Sequence, residues 1–267
     1  MGPRPDRNNL IVHESIVTSR KPGSSHGILA AIYGVYVWLA FLVILTAATV
    51  GVLLVPGLDR RRRWVSFTCR LLFRLSGIPI NVEGIDNLPD DHCVVVANHA
   101  SNLDGVILQA ILPPRFSYVI KGEMRNIPLV HFLLRRVGTR FVERFVTTES
   151  VKDARKLLQA SRNGESFAIF PEGTFIEEPG LSRFHSGAFA TAIKGEIPVV
   201  PLVISGARAI LPAGIWIPRH GSLRIDILKS IQPRDPAFGS SRKLATQARK
   251  QMLEVIQEPD LQAAETE

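Results

Sequence analysis

CVVVANHASNLD, residues 93–104, joins a short apolar run to a polar segment that carries a histidine and an aspartate. The run from Cys93 to Ala97 is typical of a buried strand, and the polar residues after it are typical of a loop that leads into a helix. A carboxylate beside an imidazole holds the ring in the tautomer that accepts a proton, so His99 and Asp104 can act together as a general base. The same residues also fit an Asx turn and a helix N-cap, which is the alternative without chemistry.

In a hydrolase such a pair activates a serine of the enzyme itself, but it can equally deprotonate the hydroxyl of a substrate. When an activated acyl donor is bound nearby, the product of that reaction is an ester, and no covalent acyl-enzyme is needed. The pair alone does not decide between these reactions, so the other motifs of the chain have to be considered with it.

Short β-type runs alternate with helical segments from about Ile78 onward. This alternation predicts an α/β fold with an open, mixed but mainly parallel sheet that is flanked by helices. In such sheets ligands bind beyond the carboxyl ends of the strands, and His99 directly follows a strand. The predicted strands are residues 94–97, 116–120, 140–143, 166–170, 199–204 and 223–228, and the predicted helices are residues 103–112, 128–137, 150–161 and 240–257.

A long uncharged segment precedes this domain. No charged residue occurs between Gly27 and Leu58, and residues 28–55 are apolar almost throughout. A helix needs about 20 such residues to cross a bilayer, so the segment predicts a membrane anchor that either spans the bilayer or re-enters from one side. A cleaved signal peptide is the alternative, but signal h-regions are shorter and start nearer the N-terminus.

The excess of positive charge also favours a membrane. Lysine and arginine number 32 against 24 acidic residues, a formal net charge of +8, and no zinc-ligand set or recognition-helix pattern favours nucleic acid. Four arginines, Arg60 to Arg63, directly follow the apolar segment, which predicts that the C-terminal domain lies on the cytoplasmic side. We expect these arginines to hold the domain against anionic headgroups, although a simple stop-transfer signal explains them as well.

Residues 64–75 carry apolar side chains at helical spacing with arginines between them. The pattern predicts an amphipathic helix, which lies either on the membrane interface or against the core. Cys69 and Cys93 fit small core residues, and no His or Cys spacing indicates a metal site. The chain thus divides into a flexible tail (1–26), an anchor with its basic helix (27–77), a catalytic domain (78–258) and a C-terminal tail (259–267).

Four short motifs follow one another in the catalytic domain. They are Asn98-His99 through Asp104; Lys121-Gly122-Glu123-Met124 with Pro128 and with Gly138 through Arg144; Phe170-Pro171-Glu172-Gly173-Thr174; and Ile197-Pro198-Val199-Val200-Pro201. In their order and intervals they resemble the glycerolipid acyltransferase family, which includes 1-acylglycerol-3-phosphate acyltransferase. The likeness covers roughly residues 80–228.

The resemblance implies transfer of a fatty acyl group from acyl-CoA or acyl-carrier protein to the free hydroxyl of a lysolipid, most simply 1-acylglycerol-3-phosphate. His99 would be the general base and Asp104 its orienting partner, with no metal or redox cofactor. Oxyanion donors are expected from backbone N–H groups near the fourth motif or at a helix N-terminus. The residues expected to bind substrate are Asn98, Lys121, Arg144, Glu172, Gly173, Thr174 and Arg183.

One position departs from the family pattern. Phe175 stands where members that act on lysophosphatidate commonly have an arginine, which keeps open another acceptor, such as a lysophospholipid or a lyso-ornithine lipid. Arg183 can supply the missing charge, and His185 in the same loop is interpreted as a surface or headgroup contact rather than a second base. The remaining alternatives are a thioesterase, in which water replaces the alcohol, and a membrane-anchored lipid-binding protein without catalysis.

Overall fold

Seven strands form one mixed sheet in the computed structural model, which describes residues 24–142 and 156–264. The order across the sheet is β1-β7-β6-β2-β5-β3-β4. The five strands from β6 to β4 are parallel, whereas β7 pairs antiparallel with β6 and parallel with β1, so the predicted mainly parallel sheet is confirmed. The strands are β1 (Ile80–Glu83), β2 (Val94–Ala97), β3 (Phe116–Lys121), β4 (Arg140–Val142), β5 (Ser166–Ile169), β6 (Val199–Ser205) and β7 (Leu223–Ile227).

The helices agree with the predicted ones within a few residues where both are described. The predicted helix 150–161 begins outside the described residues, and its visible part covers residues 156–162. The helix Gly187–Gly195 and the strand β1 were not among the predicted elements. The helices are α1 (Ser24–Leu54), α2 (Leu58–Leu75), α3 (Asp104–Ile111), α4 (Pro128–Arg136), α5 (156–162), α6 (Gly187–Gly195), α7 (Ala207–Ile210), α8 (Ser241–Leu253) and α9 (Leu261–Ala264).

The sheet separates two hydrophobic cores. One core joins the sheet to α2, α3 and α7, and the other joins it to α5, α6 and α8. Within β2, Val95 and Ala97 face the first core while Val94 and Val96 face the second, and all four are fully buried. A strand that is covered on both faces reads as a continuous apolar run, which is why β2 is recognisable in the sequence.

The predicted anchor is a single long helix that packs against α2. Residues Ile28–Leu54 of α1 are long and apolar enough to cross a membrane. Near the end of α1, Trp64 donates a hydrogen bond from Nε1 to the carbonyl of Ala47 at 3.0 Å, while Tyr33 donates to the carbonyl of Ser76 at 2.9 Å. Helices α1 and α2 therefore run antiparallel, and the outward side of α1 is almost entirely exposed apolar surface.

The four arginines after α1 do not all face outward, which corrects the expectation for that cluster. Arg62 is buried, and its guanidinium donates hydrogen bonds to the carbonyls of Pro114, Arg115 and Val137 and, at 2.6 Å, to the hydroxyl of Ser117. Burial lowers the pKa of this guanidinium. Successive residues of a helix point about 100° apart, so a run of four arginines cannot lie on one face.

Helix α2 packs against the core, which is one of its two predicted positions, and its contact with the membrane stays a prediction. Leu72 and Phe73 are buried, and Phe73 belongs to the core beneath α2 and α3. Phe67 and Leu75 are exposed on the same helix together with several arginines. One face of α2 thus packs against the core, while the other presents apolar and basic side chains beside α1.

Both predicted tails are shorter than expected in this structure. Helix α1 begins at Ser24, inside the segment predicted to be flexible. At the other end, Arg249 of α8 forms an ion pair with Asp260 at 2.6 Å, and the backbone of Leu181 accepts and donates hydrogen bonds with residues 259 and 261. This pairing holds the chain against the domain beyond residue 258, so the catalytic domain extends into the predicted C-terminal tail.

We expect Arg62→Met to lower the free energy of unfolding by about 2–4 kcal/mol, because the carbonyls and the hydroxyl that Arg62 serves would lose their donor. In a chain of this size that corresponds to a melting temperature lower by roughly 5–15 °C. The measurement is thermal unfolding in detergent micelles followed by circular dichroism.

The matched control is Arg63→Met, which removes the same charge from an exposed neighbour on α2. Its effect should stay within about 0.5 kcal/mol. Equal losses in the two variants would show that Arg62 contributes only net charge, contrary to its buried position.

Candidate active site

The predicted pair forms a short hydrogen bond. His99 Nδ1 lies 2.8 Å from Oδ2 of Asp104, whose side chain is fully buried. The same oxygen accepts hydrogen bonds from the backbone N–H groups of Ala100 at 2.6 Å and Ser101 at 2.8 Å. A carboxylate accepts, so Nδ1 carries the proton and Nε2 is left as the basic nitrogen. The hydrogen bond expected of a catalytic pair is therefore present, while general-base chemistry stays a prediction. The helix N-cap alternative is wrong for Asp104, because its oxygen accepts from residues that precede it and the N-cap of α3 is Leu103, with no side-chain cap.

Two phenylalanines fix the plane of the imidazole. The ring of His99 stacks on Phe170 at 4.3 Å between centroids and meets the ring of Phe175 edge-on at 4.8 Å. The side chain of His99 keeps 19% of its surface exposed. Phe175, the residue that departs from the family pattern, thus contacts the base itself.

Glu172 holds the histidine segment from the neighbouring strand. One carboxylate oxygen accepts the backbone N–H of His99 at 2.7 Å, and the other accepts that of Ser182 at 2.8 Å. Glu172 is buried, and with both oxygens used in this way it joins three parts of the chain rather than facing a ligand. Its predicted contact with the acceptor is therefore replaced by an indirect role through the backbone of His99.

Burial raises the pKa of Glu172, while the hydrogen bonds from His99 and Ser182 oppose that rise. At pH values between the ordinary and the raised pKa, the Glu172 carboxylate therefore takes up a proton when the chain folds. The contribution of Glu172 to the free energy of unfolding accordingly falls as the pH rises through that interval.

Asn98 is also a structural residue, which corrects its assignment to substrate binding. Its amide donates to the carbonyl of Ile204 at 3.0 Å and accepts the N–H of the same residue at 2.7 Å. The side chain is buried and continues the pairing of β2 with β6 by one step beyond Ala97. Asn98 thus fixes where the chain leaves the sheet, one residue before the base.

Ser101 is a site residue whose partner the sequence does not reveal. Its hydroxyl is buried and donates to the carbonyl of Leu211 at 2.8 Å. Leu211 starts a loop, residues 211–218, that reaches α1: Trp38 donates from Nε1 to the carbonyl of Trp216 at 2.6 Å. The hydroxyl in the motif was the only sequence signal, and nothing in it indicates a partner 110 residues away.

Lys121 and Thr174 lie together at the carboxyl edge of the sheet. Lys121 ends β3, and its Nζ is 3.4 Å from the hydroxyl of Thr174 in the loop after β5. Gly173 lies in the same loop and has φ of 80°, which a residue with a side chain rarely adopts. Its backbone N–H donates a hydrogen bond to the carbonyl of Phe170. These residues place an ammonium group and a hydroxyl beside the loop that carries Phe175.

The described contacts do not test two of the predicted substrate residues, Arg144 and Arg183. Arg144 lies outside the described residues, shortly after β4, whose last residue pairs with Lys121. Arg183 is exposed and follows Ser182, and it makes no hydrogen bond or ion pair with a described residue. Both remain predictions as ligands of the acceptor.

The fourth motif lies at the opposite edge of the sheet from His99. Val199 pairs with Val94 at the start of β2, whereas Ala97 at its end pairs with Leu202. The motif ends in the first three residues of β6, so it lies toward the amino end of the parallel strands, and its apolar residues are buried there. Oxyanion donors are therefore not supplied by the fourth motif.

Within residues 24–142 and 156–264, no three His, Cys, Asp or Glu side chains are placed to hold a metal ion. Cys69 and Cys93 are free thiols, and burial raises their pKa values to about 12 and about 11. Neither thiol is therefore a nucleophile at neutral pH. Chemistry without a metal or redox cofactor stays a prediction.

Comparison with known proteins agrees with this geometry. The family model for acyltransferases matches residues 79–205. The 1-acyl-sn-glycerol-3-phosphate acyltransferase of Saccharomyces cerevisiae is 27% identical over 76% of this chain and 68% of its own. The lyso-ornithine lipid O-acyltransferase of Pseudomonas aeruginosa is 30% identical over 70% of this chain and 67% of its own. The chain belongs to the acyltransferase family.

A solved structure shares the fold. The 1-acyl-sn-glycerophosphate acyltransferase of Thermotoga maritima superimposes with a TM-score of 0.72 at 23% identity, over 85% of this chain and 95% of that one. The chain spans about half the length of two plant chloroplastic relatives that it also matches, at 53% and 49%. The predicted fold and family are thus confirmed.

We expect Glu172→Gln to lower kcat for acyl transfer about tenfold or more, because the amide NH₂ would face one of the two backbone N–H donors and shift His99. The variant should also lose the pH dependence of unfolding that Glu172 contributes. Both are measured side by side, as steady-state rates and as urea unfolding across pH 4 to 8. Glu178→Gln, in an exposed position of the same loop, serves as the control and should match the unmodified protein.

Proposed function

We propose that this protein transfers a fatty acyl group from acyl-CoA or acyl-carrier protein to the free hydroxyl of 1-acylglycerol-3-phosphate, which gives phosphatidic acid for phospholipid synthesis. The observation that carries the proposal is the bond between His99 Nδ1 and the buried Asp104, which leaves Nε2 as a base on a partly exposed ring. The yeast relative named for this acceptor supports the choice of substrate.

The proton transfers of the mechanism involve the acceptor, the donor thioester and this pair. Nε2 of His99 removes the proton of the acceptor hydroxyl while the oxygen attacks the thioester carbonyl carbon. The tetrahedral intermediate then collapses, the carbon–sulfur bond breaks, and the imidazolium returns its proton to the leaving thiolate. Asp104 stabilises the imidazolium in between, and its burial strengthens that interaction because water does not screen it.

Lys121 is the described residue best placed to receive the phosphate of the acceptor. It lies at the carboxyl edge of the sheet, as His99 does, and its ammonium already contacts the hydroxyl of Thr174. Arg183 and Arg144 are proposed as further ligands, because guanidinium groups bind phosphate with two parallel hydrogen bonds.

A lyso-ornithine lipid is the second candidate acceptor. Two observations favour it: the relative from Pseudomonas aeruginosa that carries this name, and the aromatic Phe175 beside the base. Phe175 offers no charge to a phosphate, whereas an acceptor without phosphate loses nothing by its presence.

The protein associates with the membrane through α1, whose exposed surface is apolar along most of its length. We propose that the catalytic domain lies on the cytoplasmic side, since Arg60 and Arg63 are exposed next to the end of α1. Attachment of this kind keeps His99 close to the surface where a lysolipid acceptor resides.

The reaction is tested with purified protein in mixed micelles, one labelled acyl-CoA and a panel of lysolipids. We expect esterification of 1-acylglycerol-3-phosphate that falls at least about 100-fold in His99→Ala. His92→Ala removes a histidine that precedes β2, at the opposite edge of the sheet from His99, and should retain the full rate. Transfer only to lyso-ornithine lipid would replace the acceptor, release of free fatty acid would indicate a thioesterase, and no His99-dependent turnover with either donor would support a binding protein.

Lys121→Met tests the acceptor independently of the base. With 1-acylglycerol-3-phosphate we expect KM to rise about tenfold or more, because a charge-assisted hydrogen bond to the phosphate is lost. The variant Lys194→Met, at an exposed position on α6, should leave KM unchanged. An unaltered KM in Lys121→Met would exclude Lys121 as a phosphate ligand.

A further inference from the structure

A groove of about 630 Å³ follows one face of α4, away from His99. The residues that α4 contributes are spaced three or four apart, at positions 128, 131, 132, 135 and 136, as one helical face requires. The start of α2 and the segment before α4 complete the wall. Four arginines line the groove, Arg61, Arg125, Arg135 and Arg136, together with Pro128, His131 and Phe132.

Arg61, Arg135 and Arg136 form the end of the groove near α1, and no described carboxylate makes an ion pair with them. Arg61 donates to the carbonyls of Val55 and Arg136, and Arg136 donates to the carbonyls of Val52 and Leu53. Three of these carbonyls lie at the end of α1 and the fourth ends α4, and none carries a full charge. Among the salt bridges of the described residues, none involves Arg61, Arg135 or Arg136, so three guanidinium groups share one groove.

Clustered cations of this kind repel one another and favour an anion in the groove. Arg135 is exposed and makes no hydrogen bond with a described residue, so its planar group is available to grip a phosphate. The guanidinium of Arg136 lies 5.8 Å from the ring centre of Phe132, which helps to hold it in position.

The surroundings of the groove indicate a bilayer. Large apolar side chains are exposed at the start of α4 and beside it, namely Ile127, Leu129 and Phe132, and on the adjoining end of α1, namely Leu53 and Leu54. Arginines next to exposed apolar groups are arranged as at a membrane surface, where the apolar groups enter the acyl region and the guanidinium groups remain at the level of the phosphates.

The end of the groove at Arg61 and Arg136 is distinct from the active site because α4 crosses from one edge of the sheet to the other. Pro128 begins α4 after β3 has ended at the carboxyl edge, and Arg136 ends it before β4 begins at the amino edge. The pair of Arg61 and Arg136 is therefore about one strand length, roughly 15–20 Å, from the edge that carries His99. A phosphate held there does not belong to the acceptor at the base.

We propose that the α4 groove binds the phosphate of an anionic phospholipid in the bilayer that receives α1. Helix α1 alone attaches the domain along one line and leaves rotation about that line free. A lipid phosphate between Arg61, Arg135 and Arg136 adds a second point of attachment and sets which face of the domain meets the membrane.

The test uses the full chain in phosphatidylcholine vesicles that contain a trace of spin-labelled phosphatidylglycerol, which is neither acceptor nor product of the proposed reaction. Electron paramagnetic resonance measures the fraction of label whose motion the protein restricts, relative to spin-labelled phosphatidylcholine. We expect phosphatidylglycerol to be preferred, and the preference to fall about fivefold in Arg135→Gln, given the usual contribution of one arginine near a lipid surface.

Arg242→Gln is the matched control, because it removes an exposed arginine of α8 that neither lines the α4 groove nor lies beside α1. It should retain most of the preference, and both variants should unfold at the temperature of the unmodified protein. An equal loss in Arg242→Gln, or no preference in the unmodified protein, would overturn the proposal. Release of the restricted phosphatidylglycerol by free CoA would overturn it too, by assigning the groove to the phosphates of the acyl donor.

Discussion

Asp104 Oδ2 accepts hydrogen bonds from the imidazole of His99 and from the backbone N–H groups of Ala100 and Ser101, in a place that solvent does not reach. Such charge-assisted bonds are stronger than neutral ones, and burial adds to them. This oxygen shapes the turn before α3 and also selects the tautomer of the base. The local fold and the chemistry therefore depend on the same three bonds.

The turn is held from three further directions, each by a side chain that binds backbone. Glu172 approaches from the loop after β5, Asn98 pairs with β6, and Ser101 binds the loop that begins at Leu211. These ties connect residues that are 73 to 110 positions apart. Pre-positioning of this kind lowers the cost of reaching a productive geometry, because the base does not have to be ordered during each turnover.

The fold was predictable from the sequence because its central strands are buried on both faces and so appear as apolar runs. The hydrogen-bonded pair was predictable because His99 and Asp104 lie on one turn, five positions apart. The hydrogen bonds of Asn98 and Glu172 were not predictable, because a polar side chain in a motif does not reveal whether its partner is a ligand or a backbone group. The inward direction of Arg62 likewise depends on how α2 is rotated against α3, which charge counting ignores.

The loop of residues 211–218 connects the membrane helix to the catalytic turn. Trp38 of α1 binds the carbonyl of Trp216, Gly34 packs against Ile217, and the first residue of the loop accepts the hydrogen bond of Ser101. A change in the tilt of α1, such as a thicker or thinner bilayer imposes, must strain this chain of contacts or move it. We therefore expect bilayer thickness to act on the position of His99 through these contacts, without any ligand as intermediary.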